Sequence, residues 1–584
     1  MNASSASESN ASHEFRAYLD RDWKRWLEQA PELATAVGYP GLNDRWNDDS
    51  PAGISARRSL LAESLATLDR FDRAKLSETE QANQDLYRDL LVTAEAGLAL
   101  GLDPFPFRLG SPHHLRLPIN QLEGVQLLAA DAGDVQPLET VRDFEDLLAR
   151  LAAYPVAIEN NLGLLSTGLE LGFSPPKLPL RGLPDQITAE IPSDPMASPI
   201  VRPFRGFPVG IPVADQERLR ARAVELYRER IVPALTQLRD YLVGTYLPAC
   251  RDSIAASALP QGAELYAFLV RWQTTTDLTP EQIHAIGLGE VRRIRSEMEA
   301  LITTTGFTGS FAEFTRFLRT DPRFYFSSPE ELVDAYRVIA KKIDPQLGRL
   351  FGRLPRNPYG ILPVPAFRAP TAPAAYYMPG APTTGRAGYF YANSYKVDAR
   401  PRWEMEALTL HEAVPGHHLQ ISLAQELSDL PEFRRQTGVT AYVEGWGLYA
   451  ESLGEELGLL SDPYSKFGQL TYDMWRSIRL VVDTGMHALG WSRDRAIDFF
   501  RENTGKSDQD IVVEVDRYII WPGQALAYKI GQLKFRELRT LAEERLGPRF
   551  DVRAFHDTVL EKGALPLDLL TARVHRWIEL RLAR

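Results

Sequence analysis

Three of the chain's ten histidines fall within eight residues, at His411, His417 and His418, and Glu412 follows the first of them. A neutral imidazole nitrogen is the commonest side-chain donor for zinc, and a neighbouring carboxylate can take a proton from water. The cluster therefore points to metal-assisted hydrolysis. In the common His-Glu-x-x-His arrangement, two histidines one helical turn apart share a face and the glutamate between them serves as the base. Here the fourth residue after His411 is Pro415, which offers no donor, and the next histidine is six on. On a regular helix, six steps of roughly 100° carry His417 off the face of His411. Seven steps, to His418, regain that face but roughly 10 Å further along the axis. Pro415-Gly416 offers a way out. Proline interrupts a helix, and glycine accepts dihedrals closed to other residues. A two-residue bulge there returns His417 to the place of the second ligand, with His418 as the alternative.

A third protein ligand is expected from Tyr442-Val443-Glu444-Gly445-Trp446-Gly447. Glu444 lies 27 residues after His417, which leaves room for one helix to end near Leu430-Pro431 and another to return antiparallel. Two histidines and one glutamate leave a fourth position open, as a catalytic zinc requires. One Zn2+ per chain is the expected cofactor; manganese or cobalt also suits such donors. Glu451, seven residues beyond Glu444, can orient a ligand through a hydrogen bond.

The elements that must position these residues read as helices. Apolar residues recur at steps of three and four over 14–30, 56–71, 78–101, 137–166, 214–247, 280–304 and 328–345. Asp215 and Thr279 look like helix starts, the latter followed by Pro280. Residues 172–212 hold many prolines and form a long connection, and 353–402 are rich in Pro, Gly and Tyr. Within the latter, residues 388–395 have strong strand propensity and predict a small sheet just before the metal helix. A chain of 584 residues exceeds one ordinary core. The expected organisation is a disordered N-terminus over 1–13, an N-terminal helical subdomain over 14–270 and a catalytic helical subdomain over 271–584.

Lys plus Arg number 66 and Asp plus Glu 77, for a net charge of −11. That balance argues against nucleic acid and against anionic membranes as partners. The first residues have no basic start or apolar run, and no stretch approaches the ~20 apolar residues that span a bilayer. A cytoplasmic protein is expected. Cys250 stands alone, so no internal disulfide forms, and it reads as a small buried residue rather than a nucleophile.

The stretch His411-Glu412-Ala413-Val414-Pro415-Gly416-His417-His418-Leu419-Gln420 resembles the signature of the bacterial domain-of-unknown-function family 885. So do 442–449, Val482-Asp483-Thr484-Gly485-Met486-His487 and the run from Trp521 to Lys529. That family looks like a distant relative of the gluzincin metallopeptidases, among them thimet oligopeptidase, angiotensin-converting enzyme and carboxypeptidase Taq. The resemblance implies a mainly α fold, large and helical, with a deep cleft and a small β-sheet beside the metal helix. It also matches Gly416-His417 and Val443-Glu444 to ligand positions of the oligopeptidases.

A zinc-dependent peptidase acting on small peptides is the implied function, with Glu412 as general base. A zinc hydrolase of a non-peptide amide and a catalytically inactive helical binding protein are the alternatives. The relatives place a tyrosine or histidine where the oxyanion develops. Tyr518, Tyr528 and His487 are the candidates here, with Asp483 one turn before His487 to fix its tautomer. Arg386 and Arg517 are candidates for holding a substrate carboxylate. The strand at 388–395 is expected to pair with an extended substrate at a sheet edge, with Asn393 and Tyr395 facing the cleft.

Overall fold

The computed structural model describes residues 3–107, 111–365, 369, 372–381 and 385–583. The chain is 67% helix and 4% strand. It divides into two compact units, the first ending at Leu265 and the second beginning at Tyr266, within the helix Gly262–Thr274. The first helix runs Ala3–Glu28, so the segment expected to lack structure is helical from Ala3. Its start contains no Gly or Pro, and adding turns to a helix already anchored at Phe15, Leu19 and Trp23 costs less than nucleating one.

In the first unit, long helices at Val141–Glu170 and Val213–Leu226 bury Leu147, Leu151, Tyr154, Leu219 and Ala223 in one core. The second of these begins at Val213, so Asp215 lies in its first turn instead of capping it. The 172–212 connection holds two short helices, Lys177–Leu180 and Leu183–Glu190. Cys250 is buried in this core, and burial pushes its thiol up to about 11.

The second unit carries the cluster. Helix Pro280–Thr304 (α1) starts as the sequence reads: Gln282 N donates to Thr279 Oγ1, and Thr279 N donates to Gln282 Oε1. Pro329–Ile343 (α2) precedes a sheet of Tyr359–Pro363 (β1), Ala375–Met378 (β2) and Gly388–Ala392 (β3). Its order is β1-β3-β2, with β1 parallel and β2 antiparallel to β3. β3 is therefore the central strand, and the expectation that it offers an edge to substrate is corrected. Its backbone groups are already taken by a neighbour on each side. Phe390 and Ala392 point into a core with Tyr336, Leu408 and Tyr472.

Then come Met405–Glu412 (α3), His417–Gln425 (α4), Thr440–Ser452 (α5), Pro463–His487 (α6), Asp508–Ile520 (α7) and Ala527–Leu546 (α8). Helices α5 and α8 approach so closely that a Cβ on Gly445 would lie 2.5 Å from the Gly531 Cα. Helix α6 is buried over nearly its whole length and packs along α1. It nevertheless carries Asp473, Arg476, Arg479 and Asp483 inside the protein. Charges there need partners, because desolvation costs more than an unpaired ion recovers.

The fully buried Lys529 supplies one such partner. Its Nζ lies 2.6 Å from Asp473 and 2.9 Å from Glu290, and Arg293 adds a contact to Asp473 at 3.3 Å. Burial alone would raise the Asp473 carboxyl, but Lys529 and Arg536 outweigh it and hold it at about 2. A depressed acid stabilises the fold above its unfolded value and loses that contribution as pH falls through its folded value. Native protein should therefore lose denaturant resistance between roughly pH 4 and pH 2. Asp473→Asn should cost about 3–5 kcal/mol at pH 7, since Lys529 is left underpaired. Urea midpoints at pH 7 and pH 3 check this; a variant as stable as the native chain at pH 7 would remove the pair from the core's support.

Candidate metal centre

The helix that carries His411 stops at Glu412, and a new one starts at His417. Ala413 and Gly416 leave helical dihedrals, with ψ of −108° and −128°. The Val414–Pro415 bond is cis. His418 N donates back to Ala413 O at 3.0 Å, closing the link across five residues. A Cβ at Gly416 would sit 1.9 Å from His411 O, so only glycine passes this point. Trp446 Nε1 donates to Pro415 O at 2.8 Å and fastens the link to α5. The chain thus breaks into two helices, where the spacing had suggested a bulge within one.

The break brings His411, His417 and Glu444 together, with one donor atom from each lying within 4.8 Å of the others. Glu444 Oε2 is 3.6 Å from His411 Nε2 and 3.4 Å from His417 Nε2. The imidazole rings meet edge to face, with centroids 4.7 Å apart. Tetrahedral zinc with bonds of about 2.0–2.1 Å sets its donors about 3.3 Å apart, close to both separations. The donor types and spacing fit such an ion. Gly447 makes the room: a Cβ there would lie 2.9 Å from His411 Nε2 and 3.1 Å from His417 Cε1.

Electrostatics favour positive charge at this point. His411 Nδ1 faces Glu451 Oε1 at 2.8 Å, and Glu451 is fully buried. A proton on Nδ1 leaves the Nε2 lone pair directed toward Glu444. Burial alone would lower the His411 pKa, but Glu444 and Glu451 outweigh it and raise it to about 9. Burial would likewise raise Glu444, yet His411 and His417 hold it well below the carboxylate range. Arg476 Nη2 lies 3.7 Å from the same Glu451 Oε1 that faces His411. Glu412 is mostly buried and makes no hydrogen bond or ion pair among the described residues.

His418 lies apart from this group. Its Nδ1 pairs with Tyr377 Oη at 2.9 Å, its ring lies against Tyr359, and burial lowers its pKa to about 4. It ties α4 to the sheet, which answers which histidine joins the cluster.

Several other expected residues take structural positions. His487 is fully buried, with Nε2 on Tyr518 O at 2.9 Å. Asp483 accepts from Tyr266 Oη and Gly523 N, and burial pushes it up to about 7. Tyr518 Oη is saturated: it donates to Glu514 at 2.5 Å and accepts from Arg479 and Trp475. Neither His487 nor Tyr518 is free to donate to a reacting oxygen. Asn393 is also corrected. Its amide donates to the carbonyls of Ala369, Ala372 and Pro373 and its oxygen accepts from Tyr395 N, so it binds a loop together. Tyr395 is exposed, with Lys396 over its ring. Arg386 donates to Pro379 O within its own turn.

Tyr528 keeps its hydroxyl proton uncommitted among the described residues, accepting only a long contact from Arg517 at 3.4 Å. Arg517 also donates to Gln524. The sequence reading missed Gly447, Arg476 and Arg479. The Glu-Gly-Trp-Gly run carries a signal for the glycine, whereas two arginines on a long helix look like ordinary solvated charge.

Residues 31–574 match the family described as "Bacterial protein of unknown function (DUF885)", and the chain belongs to it. No curated protein matches. Among solved structures, the chain is similar to a protein from Colwellia psychrerythraea described as a "putative lipoprotein". The TM-score is 0.90 at 27% identity, over 98% of this chain and 99% of that one. A second, from Shewanella oneidensis, is given the same description and called "of unknown function". It matches at 15% identity with a TM-score of 0.69, over 96% of this chain and 99% of that one, and shares the fold.

Elemental analysis of tag-free protein should find about one zinc per chain, reduced to background in Glu444→Ala, since three protein donors are the fewest such a site uses. His418→Gln should keep the metal. Gly447→Ala should bind it at least tenfold more weakly, by the crowding of both imidazoles. Glu451→Gln should lose roughly 10- to 100-fold in affinity. Equal zinc in native and Glu444→Ala protein would remove this cluster as the metal centre.

Proposed function

We propose that this DUF885 protein is a zinc-dependent hydrolase that cleaves peptide bonds in small peptides. The observation that carries the reading is the convergence of His411, His417 and Glu444 at tetrahedral spacing, with an uncommitted Glu412 beside His411. Zinc held by these three would supply Lewis acidity and a water of lowered pKa. Glu412 would accept the water's proton and pass it to the leaving amine. Glu451 would fix the His411 tautomer, with the Arg476 guanidinium 3.7 Å from the same carboxylate.

The three-donor set supports a catalytic rather than a purely structural metal. His418 is engaged with Tyr377, so the nearest candidate for a fourth protein ligand is occupied elsewhere. The resemblance to gluzincin peptidases favours peptides over other amides, as an analogy of site and fold. An extended substrate would pair along β2, the edge strand that packs on α3. The retained Glu412 speaks against an inactive binding protein, which has no chemical need of a base. No helix is long and apolar enough to cross a membrane among the described residues. The description of the Colwellia protein as a lipoprotein favours work outside the cytoplasm for this chain too, in place of the cytoplasmic expectation.

Glu412→Gln should retain about one zinc and lose roughly 10²- to 10⁴-fold in kcat. A panel of short peptides and non-peptide amide conjugates, followed by mass spectrometry, provides the assay. Undiminished turnover in the variant would take the base role from Glu412. Cleavage of the conjugates alone would move the substrate class to non-peptide amides.

A further inference from the structure

Where α6 meets α7, two arginines lie against one carboxylate. Arg479 is almost fully buried; its Nε donates to Tyr518 Oη at 2.8 Å and its Nη2 to Glu514 at 2.9 Å. Its Nη1 has no partner among the described residues. Arg517 lies across the same carboxylate, with Nη1 3.6 Å from Glu514. It gives Nη2 to Gln524 at 2.8 Å and leaves Nε unpartnered among the described residues. Two guanidiniums thus share the single charge of Glu514, which also accepts from Tyr518. A buried guanidinium N–H without a protein acceptor is costly and calls for a water or a ligand to complete it.

Tyr528 sits between the two cations. Arg479 lies over its ring at 4.6 Å, and its hydroxyl faces Arg517 with its own proton uncommitted. The cluster reaches solvent on one side, where the Arg517 side chain is 21% exposed and Trp475 is half-buried. It also connects to the metal centre. Arg476, one turn before Arg479 on α6, contacts the Glu451 that holds His411. Both arginines flank the Trp475 ring, with guanidinium carbons 5.7 and 5.5 Å from its centroid.

We propose that Arg479, Arg517 and Tyr528 form a receptor for the free α-carboxylate of the substrate's C-terminal residue. Two fork-shaped guanidiniums, each with an N–H unpartnered among the described residues, and one hydroxyl proton match the donor pattern that a planar carboxylate accepts. Two guanidiniums against one carboxylate leave a local positive charge for attraction, and the low exposure of Arg479 strengthens it. Resting on the hydrolase reading, this assigns the enzyme to exopeptidases that trim short peptides from the C-terminal end. Arg386, engaged in its own turn, is not part of the receptor.

The test uses full-length, zinc-loaded Glu412→Gln protein, so that ligands bind without turnover. Zinc content is measured first; absence of zinc strikes the hydrolase reading, while the binding assay below judges the receptor by itself. Calorimetric titration then compares N-acetyl-trialanine with its C-terminal amide, and with an amide whose last residue is glutamate. The free acid should bind roughly 10- to 100-fold more tightly than the amide. Adding Arg517→Gln should erase that preference, and Arg517→Lys should restore part of it.

Equal binding of acid and amide, or binding of neither, would overturn the receptor. The glutamate amide binding as tightly as the free acid would overturn the α-carboxylate assignment in favour of an acidic side chain. If Arg517→Gln does not fold, the acid-to-amide comparison in the parent protein decides.

Discussion

Two imidazoles six residues apart cannot share a face of one α-helix, so the chain must leave helical geometry between them and return at once. The link from Ala413 to Gly416 does this, and the second unit is arranged to hold it. Gly416 allows the backbone to pass the His411 carbonyl, and Trp446 clasps the Pro415 oxygen from α5. The same helix supplies Glu444 one turn before Gly447, so fastening α5 to the link also sets the carboxylate against both imidazoles. Position is then passed outward: α5 is pressed on α8 where Gly445 meets Gly531, and α8 is anchored to α6 through Lys529 and Asp473.

Much of this was legible in the sequence because it depends on local chemistry. The histidine cluster, the helix breaker and the Glu-Gly-Trp-Gly run are rare combinations, and each forces a geometry. Helices with an apolar face were visible as well, since their period records what they bury. The helix start at Thr279 follows from a cap residue ahead of Pro280 and formed as those types dictate. The strand at Gly388–Ala392 was legible as a strand but not as the middle of a sheet. Pairing order is a long-range property, and β-propensity carries no information about neighbours.

What the sequence hid is mostly on α6. A helix that reads Asp473, Arg476, Arg479 and Asp483 along its length looks like a solvated surface, because charge usually marks exposure. Here the charges face inward, and their partners come from α1, α5, α7 and α8. Expectation likewise failed for Tyr518 and His487, whose polar atoms are spent on neighbours, while Tyr528 ten residues beyond Tyr518 keeps its proton. Residue type showed that each could donate; only the tertiary structure shows which already does.

The bare backbone at Gly447 has a consequence for which ions the centre can accept. Helix α5 stands against both imidazoles with no side chain between, so the donors cannot spread apart on that side. Large cations prefer six to eight oxygen ligands at 2.3–2.6 Å and a flexible cage. A wall of helical main chain beside two nitrogen donors denies them both the radius and the coordination number. Ionic size would thereby be selected by the steric thickness of one residue, and calcium, abundant as it is in most compartments, would be a poor competitor for the place; magnesium, no larger than zinc, would be disfavoured by the nitrogen donors instead.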